Sequence, residues 1–226
     1  MPATTTRVLL VRHGQSFANA GGKTPDHILN PLTPLGQSQA KDFAEQLDCE
    51  PSLIAVSPFP RAQQTAEPIR QRFPHSPVEE WPIEEFTFLN TTLYQNTSEA
   101  DRWPHVTAFW NRADPTYVDG PGSESFTQFL DRAREAIRRL IALNPGGCVV
   151  LVTHGYFMQA FRLIVLFPHA TDAELMENFL RFHLANFIKN VDLLEFEIRD
   201  GKIKSIGQPH LSGVTGVTLQ GENFHA

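Results

Sequence analysis

The sequence predicts an α/β fold, a three-layer sandwich whose mostly parallel sheet is flanked by helices. Three short apolar runs carry that expectation: Val8–Val11, Leu53–Val56 and Cys148–Val152. Each has the length and β-branched content of a strand buried on both faces. Each also leads, directly or through a loop, into a segment with helical spacing, the alternation that builds parallel sheets. With 226 residues, 41% of them hydrophobic and 19% charged, the chain can bury an ordinary globular core without metal or disulfide support.

The first run ends at Arg12-His13-Gly14, and about a dozen loop-like residues follow. A helix then starts with Thr33 as N-cap and Pro34 at the first helical position, placing Leu35, Ala40, Phe43, Ala44 and Leu47 on one face. The second run stops at Ser57-Pro58. Its helix carries Ala62, Ala66, Ile69 and Phe73 and should end before Pro74. Between residues 76 and 122 the periodicity is lost, while prolines and aromatics sit among polar residues. This stretch is expected to be an inserted cap of short helices and loops within a single domain spanning residues 1–226. Ser123 is the expected N-cap of the most amphipathic helix, whose apolar face runs Phe126, Phe129, Leu130, Ala133, Ala136, Ile137, Leu140 and Ile141. The third run leads into Thr153-His154-Gly155 and an apolar helix. Leu194, Phe196 and Ile198 then alternate with charged residues as in a half-buried strand, and Asp200-Gly201 marks a hairpin turn.

The formal charge of −6 and the absence of a lysine/arginine block argue against nucleic-acid or membrane-surface binding. Cys49 and Cys148 form no CxxC or zinc pattern and are expected as separate reduced thiols. The opening MPATTTRVLL has neither the basic nor the apolar region of a signal peptide. The longest apolar candidate, Tyr156–Phe167, contains Arg162 and is too short to span a bilayer. The expected location is cytoplasmic, and the sequence is silent on oligomeric state.

In open α/β sheets, ligands bind beyond the carboxyl ends of the strands. Three such ends carry His13 with Arg12, Ser57 with Arg61 four residues on, and His154. If the strands are neighbours, two arginines and two histidines converge on one small volume. Arginine forks pair bidentately with phosphate oxygens, and helix N-termini add backbone donors. One imidazole could attack phosphorus while the other stabilises the equatorial oxygens. Ser57 is read as a strand terminator.

These residues resemble the histidine phosphatase superfamily, the phosphoglycerate-mutase-like enzymes. Arg12-His13-Gly14-Gln15-Ser16 with Asn19 is similar to RHG(E/Q)SxxN. Leu32-Thr33, Gly36 and Gln39-Ala40 match LTxxGxxQA. Ser57-Pro58, Arg61-Ala62 and Gln64-Thr65-Ala66 match SPxxRAxQTA. Gly122 and Glu124-Ser125-Phe126 resemble GESF, with Ser123 as an additional residue, and Thr153-His154-Gly155 matches the second histidine motif. Asn186 resembles a structural asparagine before the late strand.

The resemblance implies a phosphoglycerate-mutase-like fold and hydrolysis of a small phosphate monoester through a phosphohistidine on His13. Arg12, Arg61 and His154 would hold the phosphoryl group, Asn19 would border the pocket, and no metal or organic cofactor is implied. The general acid would be Glu85 in Ile83-Glu84-Glu85, with Glu84 as the open alternative. Two other readings stay open, a phosphoglycerate-type mutase and a catalytically silent phospholigand-binding module. Phe86-Thr87-Phe88-Leu89 after Glu85 departs from the mutase pattern RHYGxLxG, which favours hydrolysis. The aromatics Trp81, Phe86, Phe88, Tyr94, Trp103, Phe109 and Trp110 either line a pocket for an apolar leaving group or form the cap's own core. Arg102 and Arg112 either meet a second anionic group or are solvated.

Overall fold

The computed structural model describes residues 5–23 and 28–207. Its centre is a six-stranded sheet in the order β3-β2-β4-β1-β5-β6. The strands are β1 (Thr6–Arg12), β2 (Pro51–Val56), β3 (Val78–Glu80), β4 (Gly147–Thr153), β5 (Leu193–Arg199) and β6 (Lys202–Ile206). β4 lies between β1 and β2 and is parallel to both, and β3 extends the parallel part. β5 runs antiparallel to β1 and pairs with β6 across Asp200-Gly201. Both turn residues have positive φ, +53° and +68°, as a two-residue hairpin turn requires.

Side chains of a strand alternate between faces, and the two faces meet different helices. Val8 and Leu10 of β1, with Val149 and Leu151 of β4, join the larger apolar cluster formed with α4 (Phe126–Leu143), α5 (Gly155–Leu166) and α6 (Asp172–Ala185). Leu9, Val11, Val150 and Val152 face the other way, onto α1 (Pro34–Gln46) and α2 (Pro60–Arg72). The three layers follow from continuous apolar runs that offer a packing surface on each side.

Several local expectations change. The long helix is N-capped by Ser125, not Ser123: the Ser125 hydroxyl accepts from Gln128 N–H while the Gln128 side chain returns to the Ser125 N–H. That reciprocal capping box satisfies two orphan donors, whereas Ser123 bonds back to the Gly120 carbonyl. Leu35 is 54% exposed, because Gly36, Ala40 and Ala44 form the buried stripe of α1. Cys49 and Cys148 are joined as a disulfide with Cα atoms 6.3 Å apart. Their separation of 99 positions gave no hint of pairing, which only the approach of the end of α1 to β4 creates. The aperiodic stretch contains the short β3 and the 14-residue α3 (Glu99–Arg112). The polar tail after Gly207 lies outside the described residues. Among these residues no helix is long and apolar enough to cross a membrane.

The segment from Trp81 to Ser125 shares the larger core. Trp81, Ile83, Phe86, Phe88, Phe109 and Trp110 pack in the same cluster as α4, α5 and α6. Its two ends are held by Arg132 of α4, which pairs with Glu84 at 3.1 Å and Glu124 at 2.6 Å. Arg132 also donates to the Pro82 carbonyl.

Candidate active site

The carboxyl ends of β1, β2 and β4 deliver His13, Ser57 and His154 side by side. His13 N–H donates to the Thr153 carbonyl at 2.9 Å, and Ser57 N–H to the Val152 carbonyl at 3.1 Å. The two histidine rings lie 5.0 Å apart between centroids. Both are buried, as is Arg61, which enters from the first turn of α2.

His13 is held from both sides. Its Nδ1 lies 2.7 Å from the Gly14 carbonyl, while Arg61 Nε donates to its Nε2 at 3.2 Å. These partners select one tautomer, with the proton on Nδ1 and the lone pair on Nε2. Burial, then the charges of Arg61 and Arg12, push the His13 pKa well below its ordinary 6.5. The imidazole is therefore neutral near pH 7, the form that can act as a nucleophile.

Close backbone approach explains two glycines. A Cβ on Gly14 would lie 2.5 Å from the Gly36 carbonyl oxygen, and one on Gly36 would lie 2.1 Å from the Gln15 carbonyl oxygen. The start of α1 thus sits directly against the His13 loop. Thr33, the N-cap, donates from Oγ1 to Gln15 Oε1, and Gln39 Oε1 accepts the Gln15 N–H. Thr65 of α2 accepts the Gly14 N–H at 3.0 Å.

Arg12 donates to the Ile188 carbonyl at 2.6 Å and lies over the Phe187 ring. Burial lowers the Arg61 pKa to about 10 although Glu85 opposes the shift, so it stays a cation at neutral pH. His154 Nε2 lies 2.8 Å from Ser57 Oγ. Ser57 is thus more than a strand terminator, because its hydroxyl orients the second histidine.

The two candidate carboxylates separate. Glu84 is engaged by Arg132, as described above. Glu85 lines a cavity of about 510 Å³ together with Arg12 and Asn19. Its Oε1 accepts the N–H groups of Phe86 and Tyr156, both at 3.1 Å, the second from the first turn of α5. Burial raises the Glu85 pKa, while Arg61, Arg12 and the two N–H donors restrain the rise. Asn19 Oδ1 accepts from the Ser16 hydroxyl and from Asn190 Nδ2, which also donates to the His13 carbonyl.

The aromatics divide too. Trp81, Phe109 and Trp110 are buried in the core, whereas Phe86, Phe88, Tyr94 and Trp103 reach the cavity wall. Arg102 lines the cavity and donates to the Thr97 carbonyl. Arg112 instead covers the Tyr117 ring at 3.8 Å.

Sequence reasoning missed Thr65 as a support of the loop, Asn190, and His183 on the cavity wall. The first stood within a matched motif without an assigned role. His183 belongs to α6, announced by the capping box Thr171-x-x-Glu174.

The architecture is shared with solved structures. A mycobacterial glucosyl-3-phosphoglycerate phosphatase superposes with a TM-score of 0.68 at 24% identity, over 89% of this chain and 97% of that one. In sequence, a metal-independent phosphoserine phosphatase of Arabidopsis thaliana is 31% identical over 162 residues, 70% of this chain and 68% of its own length. A glucosyl-3-phosphoglycerate phosphatase of Mycobacterium tuberculosis is 31% identical over 171 residues, 71% of this chain and 75% of its own length. The family model of the histidine phosphatase superfamily, branch 1, matches residues 8–205. With that match spanning the sheet and every strand end that carries the site, the chain belongs to the histidine phosphatase superfamily.

Proposed function

We propose that the protein hydrolyses phosphate monoesters through a phosphohistidine on His13. The observation that carries this reading is His13 itself, a buried neutral imidazole whose Nε2 lone pair faces the Arg61 guanidinium. An arginine there draws a phosphoryl oxygen to the nucleophile and offsets the charge that develops. In the first step Nε2 bonds to phosphorus as the ester P–O bond breaks, and protonated Glu85 gives its proton to the leaving oxygen. In the second, the Glu85 carboxylate takes a proton from water as the water oxygen bonds to phosphorus and the N–P bond breaks. Orthophosphate leaves, and Glu85 is again protonated. Arg12 and His154 complete the set of donors around the transferring group. The relatives named as phosphatases support this class of reaction.

The test is phenyl phosphate hydrolysis by wild type and His13→Ala, beside 3-phosphoglycerate with and without 2,3-bisphosphoglycerate. Orthophosphate release by wild type alone, without phosphoglycerate isomerisation, is the expected result. Equal release by the variant would overturn the assignment, and dominant isomerisation would make the protein a mutase.

A further inference from the structure

The cavity beside Glu85 extends well past the space a phosphoryl group needs, and its far wall is aromatic. Phe88, Tyr94, Trp103 and Phe187 line it. Trp103 and Phe187 are 49% and 56% exposed, so, although Arg12 lies over part of the Phe187 ring, both offer ring surface that the described residues do not cover. At about 510 Å³ the space is in the range that encloses a small organic ligand. Beyond Arg12, two cations stand on its wall: Arg102, whose Nη1 donates to the Thr97 carbonyl and hydroxyl, and the exposed Lys189.

One of the polar groups on that wall is a buried histidine. His183 of α6 lines the cavity and is 8% exposed, edge-on to Tyr156 with ring centroids 4.5 Å apart. Its Nδ1 is buried without a hydrogen-bond partner among the described residues. Burial and the charge of Arg12 keep this ring neutral, so it has one N–H. An N–H enclosed without an acceptor is costly, which favours the proton on Nε2, the nitrogen left for the cavity. The wall thus provides ring surface and, at His183, a buried neutral donor.

Building on the phosphatase reading, we propose that the preferred substrate is the phosphate monoester of a flat, two-ring alcohol with a hydrogen-bond acceptor, and that His183 determines specificity by donating to that acceptor. The ring system stacks among Phe88, Trp103 and Phe187 while the ester oxygen lies beside Glu85.

The probes are 4-methylumbelliferyl phosphate, which has a ring carbonyl, 2-naphthyl phosphate, which has two rings and no such acceptor, and O-phosphoserine. Wild type should show kcat/KM at least tenfold higher for both ring esters than for phosphoserine. His183→Leu should lower the ratio of kcat/KM for the umbelliferyl over the naphthyl ester about tenfold, mainly through KM, the worth of one buried hydrogen bond. His183→Gln, which keeps an N–H donor, should recover most of that ratio. Trp103→Ala, at an exposed position that folding tolerates, should lower the ratio of naphthyl ester to phosphoserine severalfold. A wild type that prefers phosphoserine overturns the substrate class, and an unchanged umbelliferyl-to-naphthyl ratio in His183→Leu overturns the role of His183. If wild type releases no phosphate from any probe, the hydrolase reading fails first and this inference with it.

Discussion

In the proposed mechanism, Glu85 and His13 divide the pH dependence between them. His13 must be unprotonated to attack, and its pKa lies well below 6.5, so the acid limb of kcat/KM should fall below that pH. Glu85 must be protonated to release the leaving group, and its pKa is raised from 4.5 by burial, so activity should decline as pH rises through that higher value. Glu85→Gln should lower kcat for an alkyl phosphate by about 10²- to 10⁴-fold and remove the alkaline limb. An alkaline limb that survives in that variant assigns the proton donor elsewhere. His183 gives a stability counterpart. Its pKa falls from 6.5 to about 4 in the fold, so the unfolded chain binds its proton first on acidification. The associated stability is complete above pH 6.5 and disappears as pH falls toward 4, about 3 kcal/mol over that window. Urea midpoints from pH 7.5 to 4.5 should fall less steeply for His183→Leu than for wild type. At this scale the convergence of Arg12, His13, Arg61 and His154 was legible, because each stands within a motif. Asn190 and His183 were not, because each comes from a remote element, and a lone asparagine or histidine reveals nothing about what the fold brings beside it.

Elements were readable where their signals are local. The apolar runs of β1, β2 and β4, the Thr33-Pro34 start of α1 and the face of α4 all stand as expected. Errors arose where two local signals compete or a tertiary contact decides. Ser123 and Ser125 both look like caps, and only Ser125 has a glutamine three residues on to close the box. β3 has three residues and exists because β2 pairs with it. α3 contains Pro104, which obscures its helical pattern, although Ser98 and Asp101 form its capping box. The contact between the His13 loop and the start of α1 yields a direct prediction. Gly36→Ala would place a methyl group 2.1 Å from the Gln15 carbonyl oxygen. Neither backbone can yield without moving the other, so the variant should lose about 1–3 kcal/mol and a larger share of kcat than of substrate affinity. Thermal unfolding and steady-state kinetics on one preparation would check both, and an unchanged kcat would mean that this packing does not position His13.

Across the whole molecule, the sheet order assembles the candidate site. β4 lies between β1 and β2, so residues about 100 and 140 positions apart in sequence meet at adjacent strand ends, His154 with Ser57 and His13 with His154. The parallel neighbours were foreseeable from three similar buried runs. The antiparallel β5–β6 edge was foreseeable only as a hairpin, and the disulfide not at all. The segment between β3 and α4 carries part of the core and most of the aromatic cavity wall, so one stretch both stabilises the fold and shapes the cavity. That dual use leaves no single periodicity for a sequence reading to find. The central claim, that His13 carries the phosphoryl group, is tested most directly by rapid-quench labelling with a ³²P-labelled aryl phosphate. Wild type should yield an acid-labile, alkali-stable phosphoenzyme mapping to His13 and absent from His13→Ala. Turnover with neither a burst of released alcohol nor a trapped adduct at any quench time, or label retained in the variant, would contradict it.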